Sequence, residues 1–145
     1  MATRMTAPLY TLEILRLAAE IPHRERLAEP HGAAERRAPL CGSSIRVEVA
    51  LDGEGRVAAL GQQVQACAFG QAAASLMGAQ ALGRSLDEVA TTRRQFAAWL
   101  SGQSDDPGSW AGLDLLAPAR SRTARHGAML LPFEALEAAI RAALP

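Results

Sequence analysis

The sequence contains no lysine. All fifteen of its positive charges are arginines, and fifteen carboxylates bring the formal net charge to zero. A Schiff-base lysine is therefore excluded. So is affinity that rests on a large positive excess neutralising many phosphates, and no nucleic-acid partner is expected. No apolar run approaches the roughly 20 residues that span a bilayer. The first residues also lack the basic stretch, apolar core and small-residue cleavage site of an export signal. Met1 to Thr6 reads as a short tail, no membrane association is expected, and the expected location is the cytoplasm. Aromatic residues make up only 4% of the chain, and Trp99 and Trp110 are read as packing residues. There are two cysteines, Cys41 and Cys67. In a reducing compartment these are free thiols, suited to metal or sulfur chemistry rather than to a structural disulfide. Gly-rich phosphate loops, a nucleophile elbow and paired-carboxylate motifs are absent, so no catalytic residue is assigned and the chain is not expected to be an enzyme.

What is present is an ordinary globular composition. The 145 residues, 49% hydrophobic and 21% charged, suit one domain spanning residues 1–145. Tyr10, Ile14, Leu17 and Ile21 recur at helical spacing, so residues 8–21 are predicted to be an amphipathic helix stopped by Pro22. From Pro22 to Ser44 the chain shows prolines, charges and little periodicity, and it reads as a long loop that delivers Cys41. Ile45, Val47, Val49 and Leu51 alternate with Arg46, Glu48 and Ala50 as in a half-buried strand, and Asp52-Gly53-Glu54-Gly55 supplies turn chemistry. A second strand opens at Val57, and Gly61 is expected to interrupt it, leaving Gln63 to Ala66 as a third short strand. Ala68 to Leu82 is an alanine-rich helix ended by Gly83. Ser85 and Glu88 form a capping box for the next helix, which runs to Gly102. Pro132 is placed in the first turn of a last helix whose inward face carries Phe133, Leu136, Ala139 and Ile140. The expected architecture is α+β: a small three-stranded antiparallel sheet with helices packed on one face.

The two cysteines are twenty-six positions apart. One lies just before the first predicted strand and the other between the last strand and a helix, so the intervening hairpin brings both to one edge of the sheet. The helix N-terminus after Cys67 presents unpaired N–H groups and partial positive charge. Cys41-Gly42-Ser43 before a strand resembles the first cysteine motif of the IscU/NifU scaffold family. Cys67, followed by Ala72-Ala73-Ala74-Ser75-Leu76, is similar to the second. Gly83 to Glu88 and Ala135 to Ile140 match further stretches. Ser43 stands where the family usually carries an aspartate. The family's third cysteine is absent, and Arg125-His126-Gly127-Ala128 occupies that region; His126 matches the family's histidine with a one-residue shift. Leu116 to Arg120 echoes the chaperone-binding segment only faintly.

The resemblance implies an iron-sulfur cluster assembly scaffold of the SufE/NifU-like fold. Cys41, Cys67 and His126 would hold iron, a 2Fe-2S cluster or zinc, with a fourth position supplied by a partner or by a second copy in a homodimer. The implied partners are a cysteine desulfurase and recipient apo-proteins. Two alternatives stand beside this reading. One is a SufE/SufU-like sulfur acceptor for a desulfurase, and the other is an interaction protein of the same fold that binds no metal. His23 and His31, in the long polar loop, are read as exposed, with either available to complete a shell. Arg120, Arg122 and Arg125 are read as a solvated charge run.

Overall fold

A computed structural model describes residues 10–145; the tail Met1–Thr6 and the expected first turn at residues 8 and 9 lie outside them. The first helix, α1 (Leu12–Ala19), starts where Thr11 Oγ1 accepts the Ile14 N–H at 3.1 Å. Three strands follow, β1 (Gly32–Arg37), β2 (Ser44–Leu51) and β3 (Val57–Gln65), forming one antiparallel sheet in that spatial order. Helices α2 (Ala68–Gln80), α3 (Leu86–Leu100) and α4 (His126–Ala143) complete the fold, with short 3₁₀ segments at Leu113–Ala119 and Thr123–Arg125.

The α+β class and the three-stranded antiparallel sheet are as expected, but the third strand comes from elsewhere. The stretch read as a loop contributes β1, whose sequence, Gly-Ala-Ala-Glu-Arg-Arg, has little intrinsic strand character. Tertiary pairing makes it a strand: it runs against β2 from Gly32 opposite Val49 to Arg37 opposite Ser44. Gly32 lies so close to α4 that a Cβ there would strike the Ala139 carbonyl and sit 2.6 Å from the Ala143 nitrogen. The missing side chain at Gly32 is thus the condition for this helix contact. Conversely, Gly61 does not break β3. It pairs with Glu48 inside a continuous ladder, and its missing side chain makes room for the Glu25 carbonyl, which would lie 2.6 Å from a Cβ.

Ile45, Val47 and Val49 of β2 point inward and are almost completely buried. α4 packs across β1 and β2, while α2 packs between α1 and α4. Ala72, Ala73 and Ala74 are all fully buried, which explains why α2 is rich in small residues: it is enclosed on nearly every side. The capping box of α3 is present, with Ser85 N–H donating to Glu88 Oε1 at 3.0 Å and Glu88 N–H to Ser85 Oγ at 3.3 Å. The last helix begins at His126, earlier than Pro132 suggested, and carries that proline inside it. Pro132 cannot donate to the carbonyl four residues back. That carbonyl, of Ala128, faces Gly70 of α2, 3.3 Å from where a Cβ would be. Trp110 is buried, its indole N–H donating to the Leu76 carbonyl at 2.8 Å.

A strap over residues 22–31 crosses the outer face of the sheet and is fastened at two points. Gln62, fully buried, donates its side-chain N–H groups to the carbonyls of Pro22 at 3.0 Å and Ala74 at 3.1 Å. Glu48, 1% exposed, accepts the Leu27 N–H at 2.9 Å, Arg26 at 2.8 Å and Arg46 at 3.2 Å. Burial alone would raise the carboxyl pKa of Glu48, but the Leu27 N–H and the two guanidiniums hold it below its ordinary value of 4.5. A depressed folded pKa contributes stability that is present above the unfolded value and is lost as pH falls through the folded one. Glu48→Gln should cost about 3 kcal/mol at neutral pH, measured by urea unfolding. The difference from the parent should shrink as pH drops below 4.5, and a constant difference at all pH values would show that the charge is not what holds the strap.

Candidate functional site

The register of the central hairpin decides where the cysteines go. Ser44, the first residue of β2, is paired with Gln65, the last of β3, so the chain ends leading to Cys41 and Cys67 leave the sheet side by side. On the β2 side a tight turn joins β1 to β2: Gly42 N–H donates to the Ala38 carbonyl at 3.0 Å and Ala38 N–H to the Ser43 carbonyl at 2.8 Å. Gly42 takes φ of 70° there, a conformation that glycine adopts without strain. Leu40 at the turn is 82% exposed. On the β3 side, Cys67 is the N-cap of α2, and its side chain makes no capping hydrogen bond. Both thiols are free and half-buried against the edge of the core.

His126 begins α4 at this same end. Its neighbour Gly127 lies against Ala38, 3.7 Å from Cβ to built Cβ, and Ala128 lies against Gly70 and is close to the Ala66–Gly70 contact. The fold thus brings all three predicted residues to one end of the molecule. It does not assemble them into a ready shell: among the described residues, no group of three or more His, Cys, Asp or Glu side chains is disposed to hold a metal ion. His126 Nε2 lies 2.8 Å from the Arg120 carbonyl; since a carbonyl only accepts, Nε2 carries the proton and Nδ1 is the nitrogen left to bind.

Two residues beside Cys41 have roles that the sequence does not give them, Ser43 reading there as the stand-in for an aspartate and Arg125 as part of a solvated charge run. Ser43 is buried, with its Oγ 3.1 Å from Cys41 Sγ. Arg125 precedes His126, and its positive charge favours the Cys41 thiolate. Burial works to raise the Cys41 pKa, but the Ser43 hydroxyl and N–H and the Arg125 guanidinium outweigh it and leave it below 9.0. The three segments that build this end, residues 38–46, 63–71 and 120–128, contain Arg46, Arg120, Arg122 and Arg125 and no carboxylate at all.

The arginine run therefore divides into different roles. Arg120 is structural, its guanidinium stacked over the Trp99 ring at 4.8 Å and donating to the Trp99 carbonyl at 2.9 Å. Arg125 serves the thiol, and Arg122 is exposed. His23 is half-buried rather than exposed, and its carbonyl accepts the Gln62 N–H at mid-strand. His31 is exposed, but its Nδ1 accepts the Leu51 N–H at 2.9 Å, at the opposite end of β2, about 23 Å from the cysteines for seven residue steps. Neither histidine is positioned to complete a shell with them.

A family model described as the NifU-like N terminal domain matches residues 9–120. Among solved structures, the N-terminal part of a nitrogen-fixing NifU-like protein from Brucella abortus is 32% identical, with a TM-score of 0.87, over 93% of this chain and 94% of that one. A protein from Fervidobacterium islandicum AW-1, described as a candidate iron-sulfur cluster assembly scaffold for the SUF system, is 19% identical with a TM-score of 0.82, over 91% of this chain and 96% of its own. At that identity it shows the shared fold. A search among curated proteins finds no match.

The surroundings of Cys41 yield a direct expectation. Its alkylation by iodoacetamide should reach half-maximal rate below pH 9.0, since the thiolate is the nucleophile. Arg125→Ala and Ser43→Ala should each move the midpoint upward. A midpoint unmoved in both variants would show that these neighbours do not act on the thiol.

Proposed function

The chain belongs to the NifU-like N-terminal domain family, and we propose that it is an iron-sulfur cluster assembly scaffold, one domain over residues 1–145, that takes iron or a labile 2Fe-2S cluster as its cargo. The observation that carries this reading is the pairing of Ser44 with Gln65, which delivers Cys41 and Cys67 to one electropositive end of the sheet. Two thiolates there supply the soft anionic ligands that iron and zinc prefer. The arginine charge at this end, together with the first N–H groups of α2, offsets the negative charge that thiolate ligands and sulfide accumulate. His126 Nδ1 is the third donor within the same end. A ring turn about χ1 and χ2, with Nε2 releasing the Arg120 carbonyl, would widen its reach.

A shell of two thiolates and one imidazole leaves a position open for a partner's ligand or a second copy of the chain, and this suits cargo that must be released. The partners on this reading are a cysteine desulfurase that supplies sulfur and apo-proteins that receive the cluster, in the cytoplasm. No helix among the described residues is long and apolar enough to cross a membrane.

The lowered pKa of Cys41 favours a second reading, as a sulfur acceptor. The Cys41 thiolate would attack the outer sulfur of a persulfide on a cysteine desulfurase. A new S–S bond forms, the old one breaks, and the desulfurase cysteine departs as thiolate, with no net oxidation.

Anaerobic reconstitution with iron and sulfide separates the two. On the scaffold reading Cys41→Ser and Cys67→Ser each abolish most of the cluster absorbance. His126→Ala weakens metal binding about 10- to 100-fold, the usual cost of disturbing a metal site, and His126→Cys holds a cluster at least as well as the parent. If Cys67→Ser leaves the cluster yield unchanged while Cys41→Ser alone stops persulfide transfer, followed by mass spectrometry, the acceptor reading replaces the scaffold.

A further inference from the structure

The sheet face turned away from the helices is set out in rows by the strand register. Arg37, Ser44 and Gln65 form the row next to the cysteines, and Glu35, Arg46 and Gln63 form the next. The strap adds Arg24, whose carbonyl accepts Gln63 Nε2 at 3.1 Å, and Arg26, paired with Glu48. Together these residues line an open groove of about 410 Å³ that begins at the cysteine end.

Four guanidiniums line this groove against one carboxylate, Glu35, and the buried Glu48 of the same sheet is already committed to Arg26 and Arg46. Arg24 and Arg37 are exposed and, among the described residues, have no carboxylate within ion-pair distance. In a chain of zero net charge this is a local segregation, continuous with the carboxylate-free cysteine end. Arg37 stands on β1 and Arg24 beside β3, at least two strand spacings apart, or about 10 Å. One carboxylate or phosphate cannot bridge that span, whereas acidic side chains two or four residues apart on one face of an extended polypeptide, about 7 or about 13 Å, bracket it within the reach of the flexible arginines. No aromatic side chain lines the groove, so it lacks the stacking surface on which single-stranded nucleic acid depends.

We propose that this groove docks an extended acidic segment of a partner protein alongside the cysteine end, with Arg24 and Arg37 as its two free carboxylate anchors. The site needs no metal at the cysteines. Its function would be to hold a partner in register with the thiols, and its attraction would be long-range and salt-sensitive.

The test uses the full chain, metal-free, with a fluorescent oligoglutamate as probe and anisotropy as readout. The parent should bind the probe, and binding should vanish in about 1 M salt, where the Debye length is about 3 Å. The double variant Arg24→Glu, Arg37→Glu changes only exposed side chains and should weaken binding at least about tenfold, with an unchanged circular dichroism spectrum. Amide chemical-shift changes should centre on Arg37, Arg46 and Gln63. The proposal is overturned if the double variant binds as the parent does, if Arg122→Glu alone removes binding, or if a single-stranded oligonucleotide binds more tightly than the peptide. Because binding is read without iron or sulfide, failure of cluster assembly would leave the result standing. Loss of peptide binding would likewise leave the cluster reading intact.

Discussion

The pairing of β2 with β3 is the constraint on which the rest depends. Side chains along a strand alternate between faces, so a slip of one residue would turn Ile45, Val47 and Val49 out of the core and bring Arg46 and Glu48 into it. The observed register avoids that cost and, in doing so, fixes Ser44 opposite Gln65. The two cysteines then emerge together because each lies a few residues beyond those ends. That register sets Gln63 beside Arg46, and the β1–β2 pairing adds Arg37 opposite Ser44 on the outer face. Core burial and thiol placement are therefore consequences of one ladder, and the surface charge is a consequence of that ladder with its neighbour.

Charge is arranged rather than accumulated. Arginine is the only cationic side chain besides histidine, and its planar guanidinium can stack and donate in several directions at once. The molecule uses this repeatedly: Arg120 lies on Trp99, Arg84 lies over Trp110 at 4.7 Å, and Arg26 and Arg46 share one carboxylate oxygen of Glu48. Among the described residues, Arg24, Arg37, Arg122 and Arg125 have no carboxylate partner and lie on the strap or at the cysteine end, where an anionic cargo or partner would meet them. Close backbone contacts are handled by absence of side chain, with Gly32 against α4, Gly61 under the strap and Gly70 against α4.

Much of this was legible in the sequence, and the misses share a cause. Period-2 alternation marked β2 plainly because one of its faces is core. The capping box at Ser85 and Glu88 marked α3 because that signal is local. The two cysteine motifs pointed to one end of the sheet, where the fold has them. β1 escaped notice because its residues are small or charged and its strand state is imposed by β2 and α4. Gly61 looks like a break in the sequence because the Glu25 carbonyl that needs the space is distant along the chain. Pro132 marks the interior of α4, since Gly70 across the interface makes room for the freed carbonyl of Ala128. Arg125 and Ser43 as neighbours of Cys41 depend on the turn geometry of residues 38–43 and on where α4 starts, neither of which a linear pattern encodes.

On the scaffold reading Cys41 and Cys67 act as one site. This is tested most directly by X-ray absorption spectroscopy at the iron and zinc edges on the full chain purified without oxygen. The metal should have two protein sulfurs at about 2.3 Å, with a nitrogen at about 2.0 Å where zinc is bound. Both sulfur contributions should be lost when either cysteine is replaced by serine. Metal bound through oxygen and nitrogen alone, or a sulfur shell that survives either replacement intact, would contradict it.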